Sequence, residues 1–242
     1  MAGTPIPAAT RRFYEQAGIA EDEGGFALTL DGRRARTPGR APLTLPTRAL
    51  AEAIAREWQA QGASIDPTTM PLTRLANSTI DGVVPRAEEV RADLVRYAGS
   101  DLVVYRASGP DRLVAEQAAA WDPVHAFVRD SLSAHFVLSE GVMFVEQPAE
   151  AVAAVREEIA RETSPFALAA LHVMTTLTGS VLIALMHAAG RLPAEEAWRA
   201  AHVDEFFQES RWGEDHEASE RRKQREAEFR AASLFLQLSR AG

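Results

Sequence analysis

The sequence predicts a mixed α+β protein, in which an N-terminal β-containing α/β part is followed by a mainly α-helical bundle. Near the N-terminus, apolar residues alternate with small or polar ones, the period of a half-buried strand. Beyond Tyr105 nearly every segment instead has apolar residues at the three-to-four spacing of amphipathic helices. Because Ser108-Gly109-Pro110 separates the two patterns, we predict one domain at residues 1–108 and another at residues 109–242.

The strand pattern is clearest between Phe26 and Leu30, where Ala27 and Thr29 alternate with larger apolar residues. Asp31-Gly32 follows, and both residue types tolerate the positive φ angles of a tight hairpin turn. The chain then leads away through Arg33 to Arg36, so this segment predicts a β-hairpin. Pro42 to Leu45 predicts a further short strand.

The first helix is predicted to begin at Thr47, whose hydroxyl can cap it. Leu50, Ile54 and Trp58 recur every four residues on one face, and Gly62 stands where a left-handed C-terminal residue is favoured. Two more helices are predicted from Leu72 and over residues 85–97. A short strand is predicted over residues 101–105.

The second half predicts a series of helices, over residues 113–133, 148–161, 193–209 and 214–238. Between Phe166 and Gly190 no residue carries a formal charge, and about 20 apolar residues suffice to span a bilayer. Histidines, threonines and a central Gly179 interrupt this run, which makes membrane insertion unfavourable. We therefore predict a buried helix that is broken at Thr178-Gly179-Ser180.

Composition and charge limit the classes of function. The chain has 242 residues, no cysteine and a net charge of −8, and the acidic excess lies in residues 111–242. Such a field repels phosphate backbones, so we predict no nucleic-acid binding and a partner with a basic surface. Residues 1–10 lack the apolar core of a secretory signal, which favours a cytoplasmic location.

The motifs of common catalytic sites are missing from the sequence. A phosphate-binding loop is absent, the only lysine is Lys223, and no Gly-x-Ser-x-Gly elbow occurs. We therefore predict no catalytic residue and no cofactor. His202 and Glu205 lie three positions apart, close to Asp215 and His216, which leaves a metal-dependent hydrolase as the alternative. A second Glu-x-x-His element is missing, so we predict no metal site.

Carboxylates and aromatic residues are concentrated around Gly213, where two predicted helices meet. The residues that we predict to contact a partner there are Asp204, Glu205, Trp212, Glu214 and Asp215. Aromatic side chains supply contact area, while surrounding carboxylates select a basic partner. The alternative interpretation is that Phe206 and Trp212 close the core between the two helices.

Several strings of the sequence are distinctive. Two that are long enough to be specific are Met70-Pro71-Leu72-Thr73-Arg74-Leu75-Ala76-Asn77 and Trp212-Gly213-Glu214-Asp215. Others are Leu30-Asp31-Gly32-Arg33, Glu57-Trp58-Gln59-Ala60-Gln61, Trp121-Asp122-Pro123, Leu177-Thr178-Gly179-Ser180 and Ala197-Trp198-Arg199-Ala200-Ala201-His202-Val203-Asp204-Glu205. They run in order from about Arg12 to Phe235, and together they resemble the ATP synthase α-subunit assembly chaperone family, also called F1-ATPase assembly factor two.

The resemblance implies an N-terminal β-containing domain, a helical C-terminal domain and a chaperone function without catalysis. Members bind the α subunit of the F1 sector before it meets the β subunit and keep its assembly surface covered. The implied partner is therefore the ATP synthase F1 α subunit. Separately from the resemblance, we expect a monomeric protein in the bacterial cytoplasm, with the mitochondrial matrix as the alternative.

Three residues in these strings are predicted to have structural roles. Trp58 continues an apolar stripe, so we expect it to be buried and to join the first helix to the sheet. Arg74 and Asn77 lie about one helical turn apart, where a guanidinium group can hold a carboxylate. We predict that this pair clamps the first domain to a carboxylate of the C-terminal half.

Overall fold

The computed structural model describes residues 10–141, 143–213 and 215–241. Residue contacts divide the chain into two compact units, one formed by the residues up to Pro85 together with those from Gln237 onward, and the other by Arg86–Leu236. The mixed α+β class is confirmed. The contacts divide the chain earlier than residue 108, and the boundary between residues 108 and 109 stays a prediction.

The first unit contains a small antiparallel sheet. Its strands are β1 (Ala17–Asp22), β2 (Gly25–Leu30), β3 (Arg33–Arg34) and β4 (Thr44–Leu45). Strand β2 pairs with β1 along its whole length and with both short strands, so the predicted hairpin at Asp31-Gly32 is confirmed. Gly25 has φ of +151°, and a Cβ there would lie 2.0 Å from the Leu45 carbonyl oxygen, so only glycine fits.

Two α-helices follow in this unit, α1 (Arg48–Gln59) and α2 (Pro71–Ser78). The Thr47 hydroxyl caps α1 by accepting a bond from the Leu50 amide, as predicted. The prediction for Gly62 is wrong, because α1 ends at Gln59 and Ala60 caps it in a right-handed conformation. The Gln61 side chain closes this end instead, donating to the Glu57 carbonyl (3.1 Å) and accepting from the Asp66 amide (2.7 Å).

Trp58 lies at the edge of a small cluster formed by Tyr14, Leu30, Ile65 and Met70. It is only partly buried, less than the sequence predicts, because its ring covers the cluster from outside. The Tyr14 and Trp58 rings lie 5.6 Å apart, and the Tyr14 hydroxyl donates to the Trp58 carbonyl at 2.7 Å. Since Leu30 belongs to β2, the contact does join α1 to the sheet.

Replacing Trp58 with alanine should destabilise the protein by about 2–3 kcal/mol, below the range for fully buried tryptophans, because part of the ring already contacts water. A urea titration followed by circular dichroism measures this. The matched control is Trp212→Ala, which removes an exposed ring and should leave the midpoint unchanged. Equal midpoints for Trp58→Ala and the wild type would show that the ring contributes nothing to folding.

The second unit is mainly helical. Its helices are α3 (Ala87–Ala98), α4 (Asp111–Leu132), α5 (Ala149–Arg161), α6 (Pro165–Thr178), α7 (Val181–Ala188), α8 (Ala194–Ala201), α9 (Val203–Trp212) and most of α10 (His216–Arg240). The short strands β5 (Tyr105–Arg106) and β6 (Ser139–Glu140) pair in parallel. The strand predicted over residues 101–105 is wrong for most of its length, since Leu102–Val104 forms a 3-10 turn capped by Asp101.

The uncharged run forms the centre of this unit as two helices, α6 and α7. Nearly all their large apolar side chains are buried, and α6 ends at Thr178, just before Gly179, whose φ of +69° is left-handed. The Ser180 hydroxyl then caps α7 by accepting a bond from the Ile183 amide at 3.0 Å. The predicted break is therefore confirmed. Within the described ranges, no helix combines the length and the apolar character needed to cross a membrane.

Candidate functional site

The residues predicted to contact a partner lie where α9 meets α10. A groove of about 480 Å³ opens between these helices; we call it the junction groove, and its lining includes Glu205, Glu209, Trp212, Asp215 and three arginines of α10, Arg221, Arg222 and Arg225. Gly213 makes the turn between the helices with φ of +89°. The sequence predicts one helix over residues 193–209, but the structure breaks it at His202 into α8 and α9.

His202 anchors the start of α9 in the core. Its side chain is 3% exposed, its Nδ1 lies 2.8 Å from the Trp198 carbonyl oxygen, and its ring lies 3.8 Å from the Trp198 ring. Trp198 in turn packs on Phe229 of α10 at 5.6 Å. Burial lowers the pKa of His202, although Glu205, 3.6 Å away, acts in the opposite direction. This stack therefore positions both walls of the junction groove.

The two adjacent carboxylates at the start of α9 have different surroundings. Asp204 accepts a bond of 2.7 Å from the Gln117 side chain, and the Gln117 oxygen accepts one of 2.8 Å from the Ala107 amide. Asp204 is thus tied to a buried residue of α4. The Glu205 carboxylate lies 3.6 Å from the His202 ring nitrogen, but its side chain is 50% exposed and lines the groove, so it is accessible to a partner.

The other predicted contact residues lie at the turn and beyond it. Trp212 is 74% exposed, so it does not close the core; Phe207 is the buried aromatic residue of α9. Asp215 is exposed but accepts bonds from the Glu217 and Ala218 amides, at 2.9 and 3.2 Å, at the start of α10. Glu214 lies outside the described residues, so its role stays a prediction.

The charges in the junction groove are more balanced than the sequence predicts. Arg222 pairs with Glu209 at 2.5 Å, and its guanidinium group lies 4.9 Å above the Phe206 ring. Among the described residues that line the groove, three carboxylates are matched in number by three guanidinium groups. Sequence reasoning missed these arginines, although their spacing on α10 places them on neighbouring turns of one helix.

A metal centre has no ligand set in the described part of the chain. No group of three or more histidine, aspartate or glutamate side chains is placed there to hold an ion. Nδ1 of His202 faces a carbonyl oxygen, and its other ring nitrogen faces Glu205. The geometry therefore offers no support for the metal-dependent hydrolase that His202, Glu205, Asp215 and His216 left open.

Arg74 and Asn77 both lie in α2. Arg74 is exposed, whereas Asn77 is partly buried and its side-chain oxygen has no hydrogen-bond partner among the described residues. The role of this pair as a clamp between the two halves stays a prediction.

Known proteins resemble the chain in sequence and in fold. The family model described as "ATP12 chaperone protein" matches residues 11–129. The mitochondrial protein atp12 of Schizosaccharomyces pombe is 24% identical over 232 residues, which cover 90% of this chain and 79% of that protein.

Solved structures give a stronger likeness. The crystal structure of Atp12 from Paracoccus denitrificans has 44% sequence identity and a TM-score of 0.91, and the match covers 96% of this chain and 99% of that one. The Atu1473 protein of Agrobacterium tumefaciens has 46% identity and a TM-score of 0.90, with coverage of 94% and 85%. Identity at this level over nearly the whole length shows common descent as well as a common fold. The chain therefore belongs to the ATP12 chaperone family.

Proposed function

We propose that this chain binds the unassembled α subunit of the F1 sector of ATP synthase and shields its assembly interface until the β subunit takes its place. Membership of the ATP12 family supports a chaperone role, and the strings of sequence described above resemble α-subunit chaperones. The observation that carries the choice of site is Trp212, a large aromatic side chain left 74% exposed beside carboxylates. Tryptophan is enriched among residues that dominate binding energy at protein interfaces.

The physical requirements of such a chaperone agree with the junction groove. An unassembled subunit exposes an apolar interface, which leads to aggregation when it stays uncovered. The cover must also be reversible, so an interface with a few anchors suits the task better than one with the largest buried area. Trp212 supplies an apolar anchor, and Glu205 supplies a charge that selects cationic groups of the client.

The residues proposed to contact the client differ in whether they also make hydrogen bonds within the protein. Glu205 and Trp212 are exposed and can contact the client directly. Asp204 and Asp215 hold α9 and α10 in place through their bonds to Gln117 and to the first amides of α10. Replacing either aspartate should therefore affect both folding and binding, whereas replacing Glu205 or Trp212 should affect binding alone.

Replacing Glu205 with lysine should leave the melting temperature unchanged and yet abolish retention of the α subunit. A desolvated interfacial charge costs several kcal/mol when it loses its partner, and here the reversed charge also repels the client's cation. The measurement is the amount of α subunit that co-purifies with the tagged chain, together with its melting temperature. Trp212→Ser should give the same pattern, and Glu214→Lys a milder loss.

The matched control is Glu157→Lys, which makes the same charge change at an exposed position of α5. It should retain the α subunit as the wild type does. Retention of the α subunit by both Glu205→Lys and Trp212→Ser would remove the junction groove from the proposal and direct the search to the N-terminal sheet. A wild-type chain that retains no α subunit would contradict the proposed function itself.

A further inference from the structure

A second and larger groove lies on the other side of α9. Its volume is about 720 Å³, with α4 as one wall and α8 with the first turns of α9 as the other; we call it the α4 groove. The stretch of α4 that lines it runs from Arg112 to Pro123, which at 1.5 Å per residue is about 16 Å, or three helical turns. A peptide segment of several residues therefore fits along it.

The surface of the α4 groove is largely apolar. Its apolar lining residues include Ala119 and Ala120 of α4, Met186, Leu192 and Phe206. Alanines on α4 leave room between the walls, and Ala119 is exposed to solvent. Concave apolar surfaces with a few polar groups at the edge are the usual form of binding sites in proteins.

The charged side chains at the edge of this groove favour a ligand of negative charge. Arg112 is neutralised by Glu116, whose carboxylate lies 2.7 Å from it. Arg191 and Arg199 are exposed and have no ion-pair partner among the described residues. The described lining holds three arginines against two glutamates, a positive balance in a chain of net charge −8. Unpaired guanidinium groups bind carboxylates through two parallel hydrogen bonds.

Helix α9 separates this groove from the junction groove. Val203, Phe206 and Ser210 line the α4 groove, whereas Glu205, Glu209 and Trp212 line the junction groove. The two surfaces therefore lie on opposite faces of one helix, and a single client can contact both.

We infer that the α4 groove binds a segment of the client that presents apolar side chains on one face and carboxylates beside them. This rests on the proposed chaperone function and adds the chemistry of the bound segment. The apolar face covers Ala119 and Phe206, and the carboxylates pair with Arg191 and Arg199. An amphipathic helix that lies in an apolar groove is a common way for one protein to hold another.

The probes that test this are two fluorescein-labelled amphipathic peptides, identical except that one carries glutamates and the other lysines beside a face of leucine and phenylalanine. Fluorescence anisotropy should show that the acidic peptide binds the full chain at least about tenfold more tightly than the basic one. Two variants should each weaken binding of the acidic peptide by at least about tenfold. One is Ala119→Trp, which fills the groove from an exposed position, and the other is the double variant Arg191→Glu/Arg199→Glu. Arg156→Glu, which makes half of that charge change at an exposed position of α5, should have no effect.

Equal affinity for the two peptides would overturn the inference, as would unchanged binding by Ala119→Trp with a normal melting temperature. The inference would also be overturned if light scattering showed that the wild type is a dimer and Ala119→Trp is a monomer, because the groove would then hold a second copy of the chain.

A co-purification experiment separates this inference from the proposed function. If the peptides behave as expected but the wild type retains no α subunit, the α subunit is the wrong client and the groove stands. If the wild type retains the α subunit but does not distinguish the peptides, the groove inference alone is wrong.

Discussion

Replacing Trp121 with alanine should lower the free energy of unfolding by about 3–5 kcal/mol, the range for removing a fully buried tryptophan. The side chain is 1% exposed, and its indole nitrogen donates to the Ala200 carbonyl at 2.7 Å. Trp121 lies on α4 and Ala200 on α8, so this bond joins the two walls of the α4 groove. The measurement is urea unfolding at neutral pH, followed by circular dichroism.

Trp121→Phe separates packing from hydrogen bonding. Phenylalanine fills much of the space but leaves the Ala200 carbonyl without its donor, so a loss of about 1–3 kcal/mol is expected. Trp212→Ala again serves as the exposed control. A loss below about 1 kcal/mol in Trp121→Ala would show that α4 and α8 are held together by other contacts, and the acidic peptide should then bind that variant normally.

The second large effect is expected at Asp101, a fully buried carboxyl group beside the break between α6 and α7. Its two oxygens accept bonds from the Val103 amide at 3.2 Å and the Leu182 amide at 3.1 Å. Both partners are donors. Asp101→Asn would place an amide NH₂ group against one of them, so the free energy of unfolding should fall by about 1–3 kcal/mol.

Asp101 should also make stability depend on pH. Burial raises its pKa from 3.8 to about 6, and hydrogen bonds from its neighbours oppose this only in part. The folded state therefore binds the proton more tightly than the unfolded state. The resulting stabilisation is complete below pH 3.8 and is lost as the pH rises through about 6.

From pH 5 to pH 8 the free energy of unfolding of the wild type should fall by on the order of 1 kcal/mol because Asp101 loses its proton. Asp101→Asn has no such proton to lose, so its free energy of unfolding should lack this decrease. Both proteins contain the same other titratable groups, so the difference between their urea midpoints reports on Asp101 alone. This difference should become smaller as the pH rises. A difference that stays constant from pH 5 to pH 8 would show that Asp101 does not titrate in this range.

Part of this structure follows from local sequence. The hairpin forms because Asp31 and Gly32 both adopt positive φ, at 47° and 75°, which few other residue types tolerate. Thr47 caps α1, and Gly179 ends α6 for the same kind of local reason. The strings around Met70–Asn77 and Trp212–Asp215 predicted the family, since they are long enough to be specific. The hairpin, the cap of α1 and the end of α6 depend on the conformational preferences of a few adjacent residues, so the sequence alone determines them.

Other features depended on which elements pack together. At His202 the backbone amide donates to the Arg199 carbonyl while the ring nitrogen bonds the Trp198 carbonyl oxygen, so α8 ends there, and no local signal marks that break. Asp204 and Glu205 are adjacent and chemically alike, yet one is tied to Gln117 of α4 and the other lines a groove. The arginines of α10 that balance the carboxylates, and the alanines of α4 that open the second groove, come from distant parts of the chain. Exposure and charge balance are set by neighbours in space, so only the tertiary structure decided which of these residues are exposed and which are tied to the core.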